Sequence, residues 1–504
     1  MPSPTHLESG DQAAFDTLQS KLVALWRSIE RMNHDSQTVV VVPSIDVEVE
    51  LTPSQMQAYE ERYLFLLLLL RQPRAEMVYV TGQSIPSEII DYYLDLMPGV
   101  ISSHARRRLH LLSPMEATAR PLTRKLLERP RLMERIRGLI LDPDRAHLVP
   151  FMATREDREL ALQLGIPMYG TDPDLAGLGT KSASRRLFEE VGVDRPHGSS
   201  DLRKVDEVVD AIGALRCASP GLEAVVIKTD ASVAGFGNTI VRLEGLSAPG
   251  SSSELEEIGR RLHDLTLEAP GMTAADYWIA FGRTGGIVEE MVTGDEIRSP
   301  SAQMRVTPLG GVELLSTHDQ ILGGATGQVF IGSRFPADPA YASRIGAEAL
   351  RVGARLAEHG VIGRFAVDFV VARKGKDWHC YAIEINLRKG GTTHPFLTLQ
   401  FLTDGAYDAG SGLFVTPEGR NKYYLASDHL EVPGLEKLLP SDVLDIALLR
   451  GLHFDQGRQV GTVFHMLSAV PTTGQVGVTC VADSPEEAEL RYEETRRVLA
   501  EAVS

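Results

Sequence analysis

The two runs RFAVDFVVA (364–372) and WHCYAIEINLR (378–388) decide how this chain is read. Both are rich in β-branched and aromatic residues, and the polar RKGKD between them predicts an antiparallel hairpin. Side chains alternate along a strand, so Glu384 and Asn386 share a face, and Arg388 follows on the same side. Asp368 sits inside the apolar run AVDFVV of the other strand. A carboxylate in a buried apolar strand is costly unless it is paired or holds a cation. Two carboxylates and an amide oxygen on adjacent strands make a hard oxygen set. Magnesium prefers such ligands and keeps the rest of its shell for water and phosphate. A buried salt bridge with Arg364 or Arg388 accounts for the same residues equally well.

Upstream, EAVVIKT (223–229) reads as a strand ending at Lys228. It is followed by the glycine-containing loop DASVAGFGN (230–238) and the returning strand TIVRL (239–243). Glycines let backbone amides approach a phosphate, and a lysine supplies a point charge. An exposed hairpin lysine has the same pattern, and the loop does not match GxxxxGK[ST], so a Walker-type loop is not supported. KSASRRLFEEVGVDRP (181–196) predicts a helix stopped at Gly192. GGIVEEMV (285–292) predicts a strand that breaks at Thr293-Gly294, with Glu296 beyond it. A strand edge offers free backbone groups to an adenine, and a carboxylate nearby accepts from ribose hydroxyls. A solvated pair of glutamates reads the same way.

The first third alternates helical and strand-like runs. Residues 12–32 have helical spacing, TVVVVPSI (38–45) and EMVYVTG (76–82) look like buried parallel strands, and 53–71 is helical. The alternation continues through RLHLLSP (108–114), GLILDP (138–143) and AHLVPFM (146–152), which implies an open parallel sheet with helices on both faces. The apolar run Leu64–Leu70 is too short to span a bilayer and predicts a buried helix. Near the end, TVFHMLSAV (462–470), GVTCVA (477–482) and a helix over 484–502 suggest a small α+β unit.

With 504 residues, about three domains are expected. Lys+Arg 51 against Asp+Glu 68 gives a net charge of −17, which disfavours a nucleic-acid partner. Three isolated cysteines, Cys217, Cys380 and Cys480, suggest neither a disulfide framework nor a structural zinc site, in keeping with a reducing cytoplasm. The N-terminus has no signal-peptide pattern, and no membrane partner is expected.

The order Lys181, Lys228 with its glycine loop, Glu289 to Glu296, Asp368, and Glu384-x-Asn386 resembles the ATP-grasp superfamily over roughly residues 170–400. More narrowly, TVVVVPSI (38–45), STHDQILGG (316–324), EINLRKGGTTHPF (384–396) and GTVFHML (461–467) resemble the pheganomycin-type peptide ligases. The resemblance implies an α/β chain in three parts: an N-terminal open parallel-sheet domain (1–168), an ATP-grasp domain of two α+β subdomains clasping ATP (169–410), and a small C-terminal α+β unit (411–504). It implies an ADP-forming ligase that activates a carboxylate of an amino-acid-like or peptide substrate as an acyl phosphate and couples it to an amine, in secondary-metabolite biosynthesis. Lys181 and Lys228 would contact the ATP phosphates, under a loop including Ser232, Gly235 and Gly237. Glu289, Glu290, Met291 and Val292 would form the adenine hinge, and Glu296 would hold the ribose. Asp368, Glu384 and Asn386 would bind two magnesium ions, or manganese in their place. Arg388 would steady the transferring phosphoryl group.

Some ATP-grasp ligases carry an arginine two residues before the first magnesium aspartate; here that position is Ala366. Arg298, Arg305, Arg364 and Arg388 are the candidates for its role, with a structural arginine the equal reading for Arg298 and Arg305. His318, Asp319 and His394 are candidates for the base that deprotonates the amine, although a structural histidine is the favoured reading for His394, and phosphate or substrate binding without proton transfer for His318. A thiol or other nucleophile, or a nucleotide-binding regulator without turnover, are the alternatives. The regulator would have damaged metal ligands, and here all three are intact. The N-terminal third and the residues after 410 carry no motif that converts into chemistry; they are read as substrate-pocket or homodimer surfaces.

Overall fold

The computed structural model describes residues 9–30, 36–47, 51–231, 235, 237–267, 271–324 and 327–504. The apolar runs of the first third form a four-stranded parallel sheet in the order Leu109–Leu112, Ala75–Val80, Gln37–Val42, Ala146–Pro150. One expected strand is absent: Gly138 and Leu139 end the helix Pro130–Leu139, whose Met133 and Ile136 anchor it to the core. The helical stretch 53–71 begins as the α-helix Pro53–Glu61, opened by a Thr52–Gln55 capping box, and tightens into a 3-10 helix over Arg62–Arg71. Its leucines are buried, as expected, apart from the half-buried Leu69. Strand order reverses between Gln37–Val42 and Ala146–Pro150. In open parallel sheets, ligands bind beyond the strand ends at such a switch point.

The second part holds two antiparallel sheets. The smaller runs Gly198–Leu202, Gly286–Glu290, Ala224–Thr229, Asn238–Arg242. The larger begins with the expected hairpin, Asp377–Asn386 on Gly363–Lys374, and continues through Pro300–Val306, Val312–Gly323 and Val329–Phe335.

The C-terminal α+β unit continues this larger sheet. Tyr423–Glu431 pairs with Val329–Phe335, followed by Gln475–Ala482 and Gly461–His465, with the helix Pro485–Val503 packed on them. One hydrophobic cluster runs from Val39, Val41 and Leu64–Leu68 to Phe464, Val478 and Leu499. The first and last parts of the chain therefore share a core. Among the described residues, no helix is long and apolar enough to cross a membrane.

Candidate active site

A cavity of ≈ 500 Å³ opens between the two antiparallel sheets and extends to the switch point of the parallel sheet. Ile45 and Val47, just after the first parallel strand, and Phe151, just after the fourth, form part of its wall. The size is that of a small-molecule site.

Strand register builds its charged floor. Asp368 and Glu384 are direct cross-strand partners, as are Ala366 and Asn386. Asn386 Nδ2 donates to Asp368 Oδ2 at 2.9 Å and to Glu384 Oε1 at 3.0 Å, and its Oδ1 accepts from Arg388 Nη2 at 3.1 Å. Burial, and then the Glu384 charge, push the Asp368 carboxyl up from its ordinary value. Glu384 is partly buried, which raises its carboxyl, yet Lys181, Lys228 and the Asn386 amide hold it down. The Lys181 ammonium lies 3.4 Å from Glu384. Burial lowers the Arg388 guanidinium, and the two carboxylates partly restore it. Two acids forced together, with one kept from ionising readily, fit a divalent cation that would relieve their repulsion. For Asn386 to offer an oxygen there, its amide must turn by half a rotation and release Arg388.

Lys228 ends the strand Ala224–Thr229 and faces the cavity. Its ammonium is 2.7 Å from Glu289 Oε2, while the Arg185 guanidinium donates to Glu289 Oε1. All three are buried. The Glu289 side chain is thus the anion that holds two cations in place. In the hinge segment, the Met291 amide donates to Ala224 O at 3.0 Å, and Glu290 accepts from the His197 amide at 2.9 Å. Glu289, Glu290, Met291 and Val292 all line the cavity. So does Gly235, at φ +85°, where a Cβ would lie 2.2 Å from Gln328 O; only glycine lets this loop approach so closely. Gly237 accepts through its carbonyl from Thr229 N and Tyr277 Oη and does not line the cavity. Ser232 lies outside the described residues.

Three expected site residues stand elsewhere. Glu296 is paired with Arg298 and Arg373 on the short strand Glu296–Arg298 and does not line the cavity. Arg298 also pairs with Asp338 and stacks on Tyr341 and Trp378. Arg305 pairs with Glu313 and stacks on Trp26. Glu296 and Arg298 are held by partners on the other side of the sheet, because strand alternation turns them away from the face that carries Asp368; Arg305 shares that face with Ser301 and Gln303 but does not line the cavity. Among the expected phosphoryl-steadying arginines, Arg388 is the one that lines the cavity.

The base candidates fare similarly. His318 is buried, its Nε2 2.7 Å from Tyr424 Oη, and burial pushes its pKa down to about 3. Asp319 accepts from Tyr341 Oη at 2.6 Å and from the Asp338 amide at 3.0 Å. His394 belongs to a buried cluster with His465 and Asp428, whose ligand atoms all lie within 4.8 Å of one another. The Arg62 guanidinium already places a positive charge on this Asp428, so the cluster needs no metal to be balanced. Arg62 and Asp428 line the cavity, as do Gln55 and Tyr59. Sequence reading missed these four. The available signal was an arginine just before the leucine run and an aspartate in the apolar YYLASDHL (423–430).

An ATP-grasp-type clasp of two antiparallel sheets, closed on a parallel-sheet domain, defines the class. Residues 252–410 match the family described as IQCH-like, ATP-grasp, and 442–495 match the PGM1 C-terminal domain. The L-propargylglycine–L-glutamate ligase of Streptantibioticus cattleyicolor is 32% identical over 439 residues, covering 85% of this chain and 86% of that protein. Biotin carboxylase of Campylobacter jejuni, solved with an ATP analogue, superposes with a TM-score of 0.55 at 13% identity, covering 93% of this chain and 95% of that one. The biotin carboxylase domain of Hydrogenobacter thermophilus 2-oxoglutarate carboxylase, solved with MgADP, gives 0.54 at 17%, covering 91% and 89%. At such identities these structures establish the shared fold. The chain belongs to the ATP-grasp carboxylate–amine ligases of the pheganomycin-type peptide ligase family. It is an ATP-grasp ligase.

Proposed function

We propose that the chain phosphorylates a carboxylate of an amino acid or peptide and passes the acyl group to an amine, with all of the chemistry in the cavity between the two sheets. The reading is carried by one observation: Asp368, Glu384 and Asn386 line the same cavity as Lys228 and Arg388.

The adenine would lie along Glu290–Val292, and the phosphates would run past Lys228 toward Lys181 and Arg388. Asp368, Glu384 and, after its amide turns, Asn386 would hold magnesium, which when bound spreads the phosphate charge; two ions fit the number of carboxylates. Phosphoryl transfer asks the protein mainly for position and positive charge. Lys228 supplies charge from a rigid support, because Glu289 and Arg185 fix it. Arg388 stands beside the carboxylate pair, where an oxygen of the transferring group would meet it. Once the carboxylate is an acyl phosphate, its phosphate is a good leaving group and the amine displaces it. Water must be kept out. The contact of Gly235 with Gln328 is where the glycine loop closes the cavity edge.

We further propose boundaries near residues 168 and 410. Homodimerisation is proposed only as an expectation for sizing experiments. The named substrates of the Streptantibioticus relative make amino acids the first compounds to try.

The test is ADP and phosphate release from ATP and Mg²⁺ with pools of amino acids and short peptides, beside a Glu384→Ala control. Pool-dependent ADP release that vanishes in the control is expected. Release of AMP and pyrophosphate would overturn the acyl-phosphate reading.

A further inference from the structure

The same cavity is also walled by Gln55, Tyr59 and Arg62 from the N-terminal part and by Gly391, Thr392 and Asp428 from the other. Two of these form an ion pair. Arg62 Nη1 donates to Asp428 Oδ2 at 2.5 Å, and the two residues are 6% and 5% exposed. The guanidinium is stacked 4.9 Å from the Tyr59 ring centroid and 5.9 Å from that of Phe151. Its buried Nε has no hydrogen-bond partner among the described residues. Behind the pair, His465 Nε2 is 2.8 Å and His394 Nε2 3.3 Å from Asp428 Oδ1, and these rings fix the carboxylate.

Among the described residues, five carboxylates line the cavity: Glu289, Glu290, Asp368, Glu384 and Asp428. Glu289 is bound by Lys228 and Arg185, Glu290 by the His197 amide, and Asp368 and Glu384 form the cation floor. Asp428 alone among them has no place in the ligase reading. A buried ion pair is a poor device for stability, since apolar residues of similar volume often do as well or better. One that faces a ligand cavity is suited to being completed by a ligand. Charge balance selects that ligand. A bare carboxylate at Arg62 would add an uncompensated negative charge beside Asp428, and a bare amine at Asp428 a positive one beside Arg62. A group carrying both, close together, leaves the pair's surroundings neutral.

We propose that Arg62 and Asp428 read the charged head of an amino acid, with a substrate carboxylate on the Arg62 guanidinium and its cationic nitrogen on Asp428. This rests on the ligase reading and adds the substrate's class: the acid component enters with a free, positively charged nitrogen. Held on Asp428 as an ammonium, that nitrogen has no lone pair with which to attack an acyl phosphate, so the incoming amine is a different group. Arg62 is close enough to Arg388 for their charges to oppose, which a carboxylate between them relieves.

The experiment measures equilibrium binding by calorimetry with Mg²⁺ and a non-hydrolysable ATP analogue present. Each of the twenty common L-amino acids and L-propargylglycine is compared with its desamino acid, such as glutarate for L-glutamate and 4-pentynoate for L-propargylglycine. At least one amino acid is expected to bind ~100-fold tighter than its desamino partner, and Asp428→Asn to erase that ratio by weakening only the amino acid. Nucleotide affinity stays within about threefold. If Asp428→Asn does not fold, N-acetylation of the ligand makes the same cut in the wild type, with the same expected loss. The proposal is overturned if no amino acid binds, if amino acids and desamino acids bind alike, or if Asp428→Asn weakens both equally. Binding is read without turnover, so a chain that discriminates as expected but releases no ADP sinks the ligase reading and leaves this one standing.

Discussion

Asp368 and Glu384 face each other across neighbouring antiparallel strands, and the Asn386 amide nitrogen bridges them at 2.9 and 3.0 Å. The fold brings two like charges together in a buried place, which is unfavourable unless something positive arrives. Asp368→Asn removes one of the two charges. In magnesium-free buffer its melting temperature should equal or exceed that of the wild type. The rise in melting temperature given by Mg-ATP should shrink, and turnover should drop by ~10³-fold or more. Paired melting curves and a steady-state assay check this; a Mg-ATP shift as large as in the wild type would remove Asp368 from the cation site.

Glu289 is the shared partner of Lys228 and Arg185. Glu289→Ala leaves two buried cations facing each other without an anion, and is expected to cost about 3–5 kcal/mol. Glu290→Ala should cost under about 1 kcal/mol, because that side chain is partly exposed and accepts only the His197 amide. Denaturant titration of both variants separates a structural glutamate from one that touches the nucleotide only.

Arg388, Arg305 and Arg298 are separated by their surroundings. Arg388→Ala should lower kcat by ~10²–10³-fold, as removal of a charge-stabilising donor does. Arg305→Ala loses its contacts with Glu313 and Trp26, and Arg298→Ala its stacking on Trp378. Both should keep kcat within about threefold while lowering stability by ~1 kcal/mol. Kinetics on the three variants decide this, and a kcat loss at Arg305 matching that at Arg388 would contradict the geometry.

Glu61 is fully buried, and burial pushes its carboxyl up to about 7, against the amide of Ser468 that donates to it at 3.1 Å. Its ordinary value is 4.5, so between 4.5 and about 7 the folded chain holds a proton that the unfolded chain has released. Stability from this group is therefore complete below 4.5 and is lost as pH rises through 7, by on the order of 3 kcal/mol. Glu61→Gln keeps an oxygen for Ser468 and cannot ionise. Its melting temperature should fall less than that of the wild type between pH 5 and 8.

Local pattern carried much of the molecule. Alternation placed Glu384 and Asn386 on one face, the polar turn at 373–377 made the hairpin, and β-branched runs marked the parallel strands. These are properties of near neighbours, and a strand or helix expresses them wherever it sits. The order of motifs along the chain, Lys181 and Lys228, then Glu289 to Glu296, then Asp368, Glu384 and Asn386, carried the resemblance to the class. Pattern failed where a short run satisfied two readings, as at 138–143, where Leu139 ends a helix, Ile140 follows it into the core and Leu141 is exposed.

What only the tertiary structure decided depends on contacts between distant segments. Nothing near Arg62 in the sequence announces Asp428, 366 residues away, yet the shared core of the first and last parts of the chain presses them together. Glu289 looked like part of a hinge until Arg185 and Lys228 converged on it. Arg298 and Glu296 had the right chemistry and the wrong side of the sheet, and Arg305 the right side but a place outside the cavity. Sequence determines which groups are available and which face of their own element they occupy; packing determines which of those faces meet, and so which charges must find partners with water excluded.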